Sequence, residues 1–180
     1  MRIVSGKFKS RRINAPNNLP VRPTTDMAKE ALFNILNNSY YFNEISVLDL
    51  FAGIGSISFE FASRGTEKII SVDQNVGCIN FLDKINAELD TNIQIVKNDV
   101  YTYLDKNNQK FDVIFADPPY DFSDEKFQKI IDLVFDKKLL NEGGLLIVEH
   151  SNQTELSKNS TFTKVKKYGG NMFSFFESES

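Results

Sequence analysis

Asp117-Pro118-Pro119-Tyr120 is the segment of this 180-residue chain whose residue types point most specifically to a chemistry. It follows an apolar run, Phe111 to Ala116 (FDVIFA), that reads as a buried strand. Two prolines cannot continue a hydrogen-bonded ladder, so the chain must leave the sheet and present its next carbonyls in a fixed, outward geometry. A carboxylate beside a fixed carbonyl suits an exocyclic amine on a nucleic-acid base. The lone pair of such an amine is delocalised into the ring, which makes it a poor nucleophile. Acceptors aimed at its two hydrogens, from Asp117 and the Pro118 carbonyl, favour a pyramidal nitrogen whose lone pair points at an electrophilic methyl group. Tyr120 adds a ring on which a splayed base can stack, worth about 1–3 kcal/mol. A base held in a stem would have to flip out to reach it. The same four residues would also suit a capped Pro-Pro turn with no ligand.

A second constellation lies upstream. Asp49-Leu50-Phe51-Ala52-Gly53-Ile54-Gly55-Ser56 closes one strand and opens a helix. Gly53 and Gly55 let the backbone turn sharply and approach a ligand with no Cβ in the way. Asp73, the first acid after the next strand, can accept hydrogen bonds from ribose hydroxyls. A local turn cap in Asp-Gln-Asn is the competing reading of Asp73. Asp99 closes a third strand, where its carboxylate can take an adenine amino group while the Val100 backbone meets the ring; Asn-Asp is also ordinary turn chemistry. An adenosine-containing cofactor therefore fits. A dinucleotide loop would want glycine where Ser58 stands. Asp49 fits poorly beside a pyrophosphate and well beside the cationic amino group of a methionine tail.

Positioning these groups takes alternating strands and helices. Strands are expected at Ser46–Leu50, Lys68–Val72, Ile93–Val96, Phe111–Ala116 and Leu145–Glu149. Helices are expected from Thr24 or Thr25 through Ile35, and over residues 56–63, Cys78–Leu89, Tyr101–Leu104 and Glu125–Phe135. The tail, Thr161–Lys167 and Met172–Phe176, reads as a hairpin around Tyr168-Gly169-Gly170-Asn171. Apolar strands with helical crossovers build an open, mostly parallel sheet covered on both faces, whose ligands sit at the carboxyl ends of the strands. The motifs above fall at those ends.

The composition bounds the rest. Apolar residues make up 41% and charged residues 25%, which fits a globular chain. Apolar stretches are too short to span a bilayer and no leader is evident, so a cytoplasmic protein without a membrane partner is expected. Cys78 is the only cysteine, which rules out an internal disulfide and a thiolate zinc cage; no metal is expected. The net charge is −3, yet the first 22 residues carry Arg2, Lys7, Lys9, Arg11, Arg12 and Arg22 and no acid. They read as a basic arm for nucleic-acid phosphates, or as a solvated terminus. Ile3, Val4 and Phe8 suggest a short strand or hairpin around Gly6. Arg22, beside the helix cap, is also a candidate for a cofactor carboxylate. His150, the only histidine, is expected at the surface or as a cap.

The order of D-L-F-A-G-I-G-S, V-D, N-D-V and D-P-P-Y resembles class I S-adenosylmethionine (SAM)-dependent methyltransferases that act on amino nitrogens. Met1-Arg2-Ile3-Val4-Ser5-Gly6-Lys7, Arg22-Pro23-Thr24-Thr25-Asp26 and Glu30-Ala31-Leu32-Phe33-Asn34 are similar to the RsmD family, bacterial 16S rRNA guanine-N2 methyltransferases. The resemblance covers essentially the whole chain. It implies an α/β, Rossmann-like domain over residues 23–180 behind the arm of residues 1–22, with a seven-stranded, mostly parallel sheet and an antiparallel C-terminal hairpin. It also implies SAM as cofactor, with Asp49, Phe51, Gly53, Gly55, Asp73, Asp99 and Val100 around it and Asp117, Pro118, Pro119 and Tyr120 as the catalytic motif. The implied substrate is a guanine of 16S rRNA; the acidic net charge suggests that it is met within a small-subunit ribonucleoprotein particle, and a monomer is expected. A DNA adenine-N6 methyltransferase, an NAD-dependent enzyme and a non-catalytic RNA-binding assembly factor are the alternatives.

Overall fold

The Thr25 hydroxyl accepts the Ala28 N–H at 3.2 Å and so starts α1 (Asp26–Asn37), which buries Ala28, Leu32, Phe33 and Leu36 along one face. The computed structural model describes residues 1–22 and 24–179. Pro23, at the head of the expected 23–180 domain, and Ser180, at its end, lie outside the described residues. After a short 3-10 turn at Phe42–Glu44, strands and helices alternate: β1 (Ser46–Leu50), α2 (Ser56–Ser63), β2 (Lys68–Asp73), α3 (Val76–Glu88), β3 (Gln94–Lys97), α4 (Val100–Lys106), β4 (Phe111–Ala116) and α5 (Asp124–Asp136). β5 (Leu140–His150), β6 (Phe162–Tyr168) and β7 (Asn171–Glu177) complete the chain.

The seven strands form one sheet in the order β3-β2-β1-β4-β5-β7-β6. β1 pairs in parallel with β2 and β4, β5 pairs in parallel with β4, and β7 runs antiparallel to β5 and β6. The strand order reverses between β1 and β4, so their carboxyl ends open a crevice that carries Asp49 to Phe51 on one side and Asp117 on the other. One sheet face packs against α1, α2 and α3, the other against α4 and α5. Phe33, Phe42 and Phe61 form an aromatic cluster in the first layer, with the Phe33 and Phe61 rings edge to face at 4.6 Å.

β5 is longer than the expected Leu145–Glu149. It begins at Leu140 and carries Gly143-Gly144 within it, at a register shift against β4. Gly143 has φ +73°, a conformation that suits an irregular strand and costs a glycine little. Periodicity alone placed the glycines before the strand.

The first 13 residues fold back on themselves through a single antiparallel bridge, Arg2 to Arg12, rather than a regular hairpin. Ile3 and Ile13 are fully buried, in the same core as α1 and α2. Gly6, at φ +86°, lies on the end of α2, where an added Cβ would sit 1.9 Å from the Ser63 carbonyl oxygen. Buried Glu60 accepts the Val4 and Ser5 N–H groups at 2.9 and 3.0 Å. Arg2, Lys7, Lys9, Arg11 and Arg12 keep their side chains exposed.

Candidate active site

The carboxyl ends of β1, β2 and β4 enclose a cavity of about 780 Å³, the size of a small-molecule site. Its wall includes Asp49, Phe51, Gly53, Asp73, Asp99 and Val100 from the cofactor side and all of Asp117 to Tyr120. The sequence separates these two groups by many residues; the sheet order brings them into one space.

The glycine loop is shaped for close approach. Gly53 has φ +57°, and Phe51 adopts φ +58°, an unusual left-handed conformation for a bulky residue. Asp73 braces the loop: one carboxylate oxygen accepts the Gly53 N–H at 2.8 Å and the other accepts the Asn75 N–H at 2.8 Å. The turn-cap reading of Asp73 is thus realised, and the residue also lines the cavity, each carboxylate oxygen having capacity for a further donor. Asp99 caps α4 by accepting the Thr102 N–H at 2.9 Å and also lies on the wall. Gly55 serves a different purpose from Gly53. It is not on the wall; at φ +83°, an added Cβ would lie 2.6 Å from both Leu82 and Phe59 side-chain atoms. Packing, not ligand approach, demands glycine there.

Asp49 is buried at the end of β1, where its Oδ2 accepts both the backbone N–H and the hydroxyl of Ser58. Burial outweighs these hydrogen bonds and pushes its carboxyl up to about 7. Cys78 also reaches the cavity, but burial pushes its thiol up to about 11, which keeps it unreactive.

The Asp117 carboxylate points into a charged cluster. Arg22 Nη2 lies 3.4 Å from Asp117 Oδ1 and 3.6 Å from Glu149 Oε1. The Arg22 guanidinium also covers one face of the Tyr120 ring, while Tyr120 stays 51% exposed. Burial first, then the Glu149 charge, pushes the Asp117 carboxyl well above its usual range, and Arg22 opposes both. Downstream, the Pro119 carbonyl accepts the Phe122 N–H at 3.1 Å and closes the turn. Among the described residues no backbone amide takes the Pro118 carbonyl.

Of the six basic residues expected to meet nucleic acid, Arg22 alone lies on the cavity wall. Sequence reasoning missed Leu19, Pro20 and Val21, which cross over the glycine loop as part of that wall. Val21 lies where a Cβ on Gly53 would come within 3.2 Å, and Leu19 likewise covers Gly77. It also missed Tyr101 and Phe122, aromatic wall residues, and Glu149, which stands behind the wall as a partner of Arg22. A carboxylate ending the strand beside β4 was the available signal for Glu149. His150, expected at the surface or as a cap, is buried and bonded on both sides: one ring nitrogen meets the Ser174 hydroxyl at 2.7 Å, the other the Ser151 carbonyl at 2.8 Å.

The family model described as "Conserved hypothetical protein 95" matches residues 1–177. The chain belongs to this family, the RsmD family. YlbH of Bacillus subtilis (strain 168) is 35% identical over 178 residues, 94% of each chain. Ribosomal RNA small subunit methyltransferase D of Buchnera aphidicola subsp. Baizongia pistaciae is 32% identical over 153 residues, 84% of this chain and 76% of its own. Among solved structures, the RsmC methyltransferase of Thermus thermophilus, in complex with AdoMet and guanosine, gives a TM-score of 0.72 at 20% identity. The match covers 89% of this chain and 45% of that one, and shows the shared fold. Fold and family are therefore those that the sequence motifs implied. No helix among the described residues is long and apolar enough to cross a membrane.

Proposed function

We propose that this protein transfers a methyl group from SAM to the exocyclic N2 amine of a guanine in 16S rRNA. The observation that carries this reading is the single cavity shared by the glycine loop, Asp73 and Asp99 on one side and Asp117 to Tyr120 on the other. Family membership and the relatives' rRNA methyltransferase names support rRNA over DNA. A cytoplasmic site of action follows from that substrate, and a ribonucleoprotein particle suits a chain whose net charge is −3.

The residues present fit SAM. The cavity has the size of a small-molecule site, Asp73 and Asp99 offer acceptors for hydroxyl and amino groups, and Asp49 would hold the cationic amino group. When bound, SAM supplies a methyl group on a sulfonium, which leaves with its carbon while the sulfur keeps the bonding electron pair. The chain's own work is at the amine. Asp117 accepts one amine hydrogen and the Pro118 carbonyl the other, which frees the nitrogen lone pair. As the N–C bond forms the nitrogen becomes cationic, and the Asp117 carboxylate stabilises that charge. The nitrogen then gives up one proton, which a carboxylate with an elevated affinity for protons can take. Tyr120 offers its uncovered face to the base.

The test is mass spectrometry of nucleosides from small-subunit particles incubated with the protein and SAM. N2-methylguanosine is the expected product. An adenine-N6 product would keep the mechanism and refute the assigned base; no methylated nucleoside at all would refute the activity.

Asp49 gives the cofactor half its own test. With a carboxyl at about 7, the free site is mostly protonated at pH 6, whereas a cationic amino group favours the ionised form. Binding of S-adenosylhomocysteine at pH 6 should therefore release close to one proton. The sign follows from the raised value: affinity improves by about tenfold from pH 6 to pH 8 as the carboxyl ionises unaided. Calorimetry in two buffers of different ionisation heat reads the proton directly. Proton release that persists in Asp49→Asn would assign it to another group.

A further inference from the structure

We propose that Arg22 is a positioning residue for methyl transfer, fixing Asp117 and Tyr120 together at the substrate end of the cavity. This rests on the reading above, in which Asp117 is the amine acceptor.

Three contacts define the arrangement. Arg22 Nη2 reaches Asp117 Oδ1 at 3.4 Å and Glu149 Oε1 at 3.6 Å, and the guanidinium plane lies over the Tyr120 ring. Glu149 is the fixed end of this bracket. It is 1% exposed, its Oε2 accepts the Thr24 hydroxyl at 3.1 Å, and its Oε1 accepts the Asn171 side-chain amide. Arg22 is therefore anchored to the sheet through Glu149 and holds Asp117 and Tyr120 on its other edges. A flat, delocalised cation with several donors can do this; a lysine cannot stack and bridge at once. Arg22 Nε is buried and has no partner among the described residues, which leaves one donor for an arriving ligand.

The charges make the bracket more than a spacer. The charged groups that face Asp117 are Glu149, Asp49 and Arg22, so Arg22 is the single cation among them. Two desolvated carboxylates this close do not both ionise without a cation. Without Arg22 the proton would settle on Asp117 or Glu149, and the amine would lose an ionised acceptor. Arg22 opposes both burial and the Glu149 charge at Asp117, so it favours an ionised acceptor opposite the nitrogen that becomes cationic. The cation also sits on one face of Tyr120 only, which leaves the half-exposed ring a second face for the base.

The experiment compares Arg22→Gln, Arg22→Lys and Glu149→Gln with the parent protein. Each is assayed for kcat across pH at saturating SAM and small-subunit particle, with S-adenosylhomocysteine affinity as the check on folding. Arg22→Gln should lower kcat about 10- to 100-fold and move its acid limb to higher pH, with cofactor affinity within about threefold. Arg22→Lys should restore the position of the limb and only part of the rate. Glu149→Gln should move the limb the opposite way, to lower pH. An unchanged kcat with an unmoved limb overturns the proposal. So does a raised KM for the particle with a shallower salt dependence and an unchanged kcat, which would make Arg22 a phosphate contact. Carboxyl-labelled NMR titration of Asp117 gives a readout independent of turnover. If the parent protein transfers no methyl group, the functional reading fails, and this titration still decides the point: a midpoint that does not rise in Arg22→Gln overturns the role of Arg22.

Discussion

Replacing Asp117 with alanine should lower the single-turnover rate of methyl transfer about 100- to 1,000-fold, the usual loss when an aligned electrostatic group is removed. Cofactor affinity should stay within a few fold, because Asp73, Asp99 and the glycine loop are untouched. The interaction is needed most when the nitrogen becomes cationic, so the loss should fall on the chemical step rather than on binding. Asp117→Asn separates charge from geometry. Its amide oxygen can still accept an amine hydrogen, but it brings no negative charge and takes up no proton. A rate between those of the parent and the alanine protein is expected, with the acid limb of the pH profile lost. Rapid-quench assays with labelled SAM, with calorimetry on each variant, supply both numbers. Full activity in Asp117→Ala would remove the carboxylate from the mechanism.

Much of this site was legible because its residues are held by backbone. Strand ends, glycines at positive φ and a Pro-Pro exit are local events, and local sequence specifies them. Asp49, Gly53, Asp73, Asp99 and Asp117 each sit at the carboxyl end of a strand or in the turn that follows one. The strands themselves were readable because a parallel sheet buried on both faces gives unbroken apolar runs, as in Val113 to Ala116.

What stayed hidden depends on contacts between distant segments. Gly55 looked like a ligand-facing glycine because spacing cannot distinguish a cavity from the Leu82 and Phe59 side chains. The basic character of residues 1–22 suggested an arm for phosphates or a solvated terminus. Apolar Ile3 and Ile13 were the contrary signal, but their partners lie on other elements. Arg22 looked like one more basic residue. Its difference from Lys7 or Arg12 appears only when the sheet brings Asp117 and Glu149 to the same place. Deleting residues 1–12 would consequently disturb more than RNA contact, since it would strip partners from a buried ion cluster.

That cluster carries the largest stability effect expected in the molecule. Glu60 is fully buried on α2 and accepts four donors: the Val4 and Ser5 N–H groups, Arg64 Nε at 3.0 Å and Lys29 Nζ at 3.4 Å. Lys29, equally buried, also donates to the Arg2 carbonyl at 2.6 Å and the Ser56 hydroxyl at 3.2 Å. Glu60→Ala leaves two backbone donors unsatisfied and a buried ammonium without its counter-charge. Removing one partner of a buried pair typically costs about 3–5 kcal/mol, a large share of the 5–15 kcal/mol that holds an ordinary domain together. Urea unfolding should show this as a lower midpoint. The pH dependence tests the cause. Burial already lowers the Lys29 pKa, and the Glu60 charge and hydrogen bond are the largest effects that offset it, ahead of Asp26. In the variant Lys29 is driven further toward the neutral amine. A lysine depressed in the folded state favours folding fully above its unfolded value, about 10.4, and loses that contribution as pH falls through the folded value. The deficit of Glu60→Ala should therefore shrink as pH rises from 7 toward 10. A loss under about 1 kcal/mol, or one that does not change with pH, would mean that water or Ser56 replaces the carboxylate and that residues 1–5 are held by their apolar contacts alone.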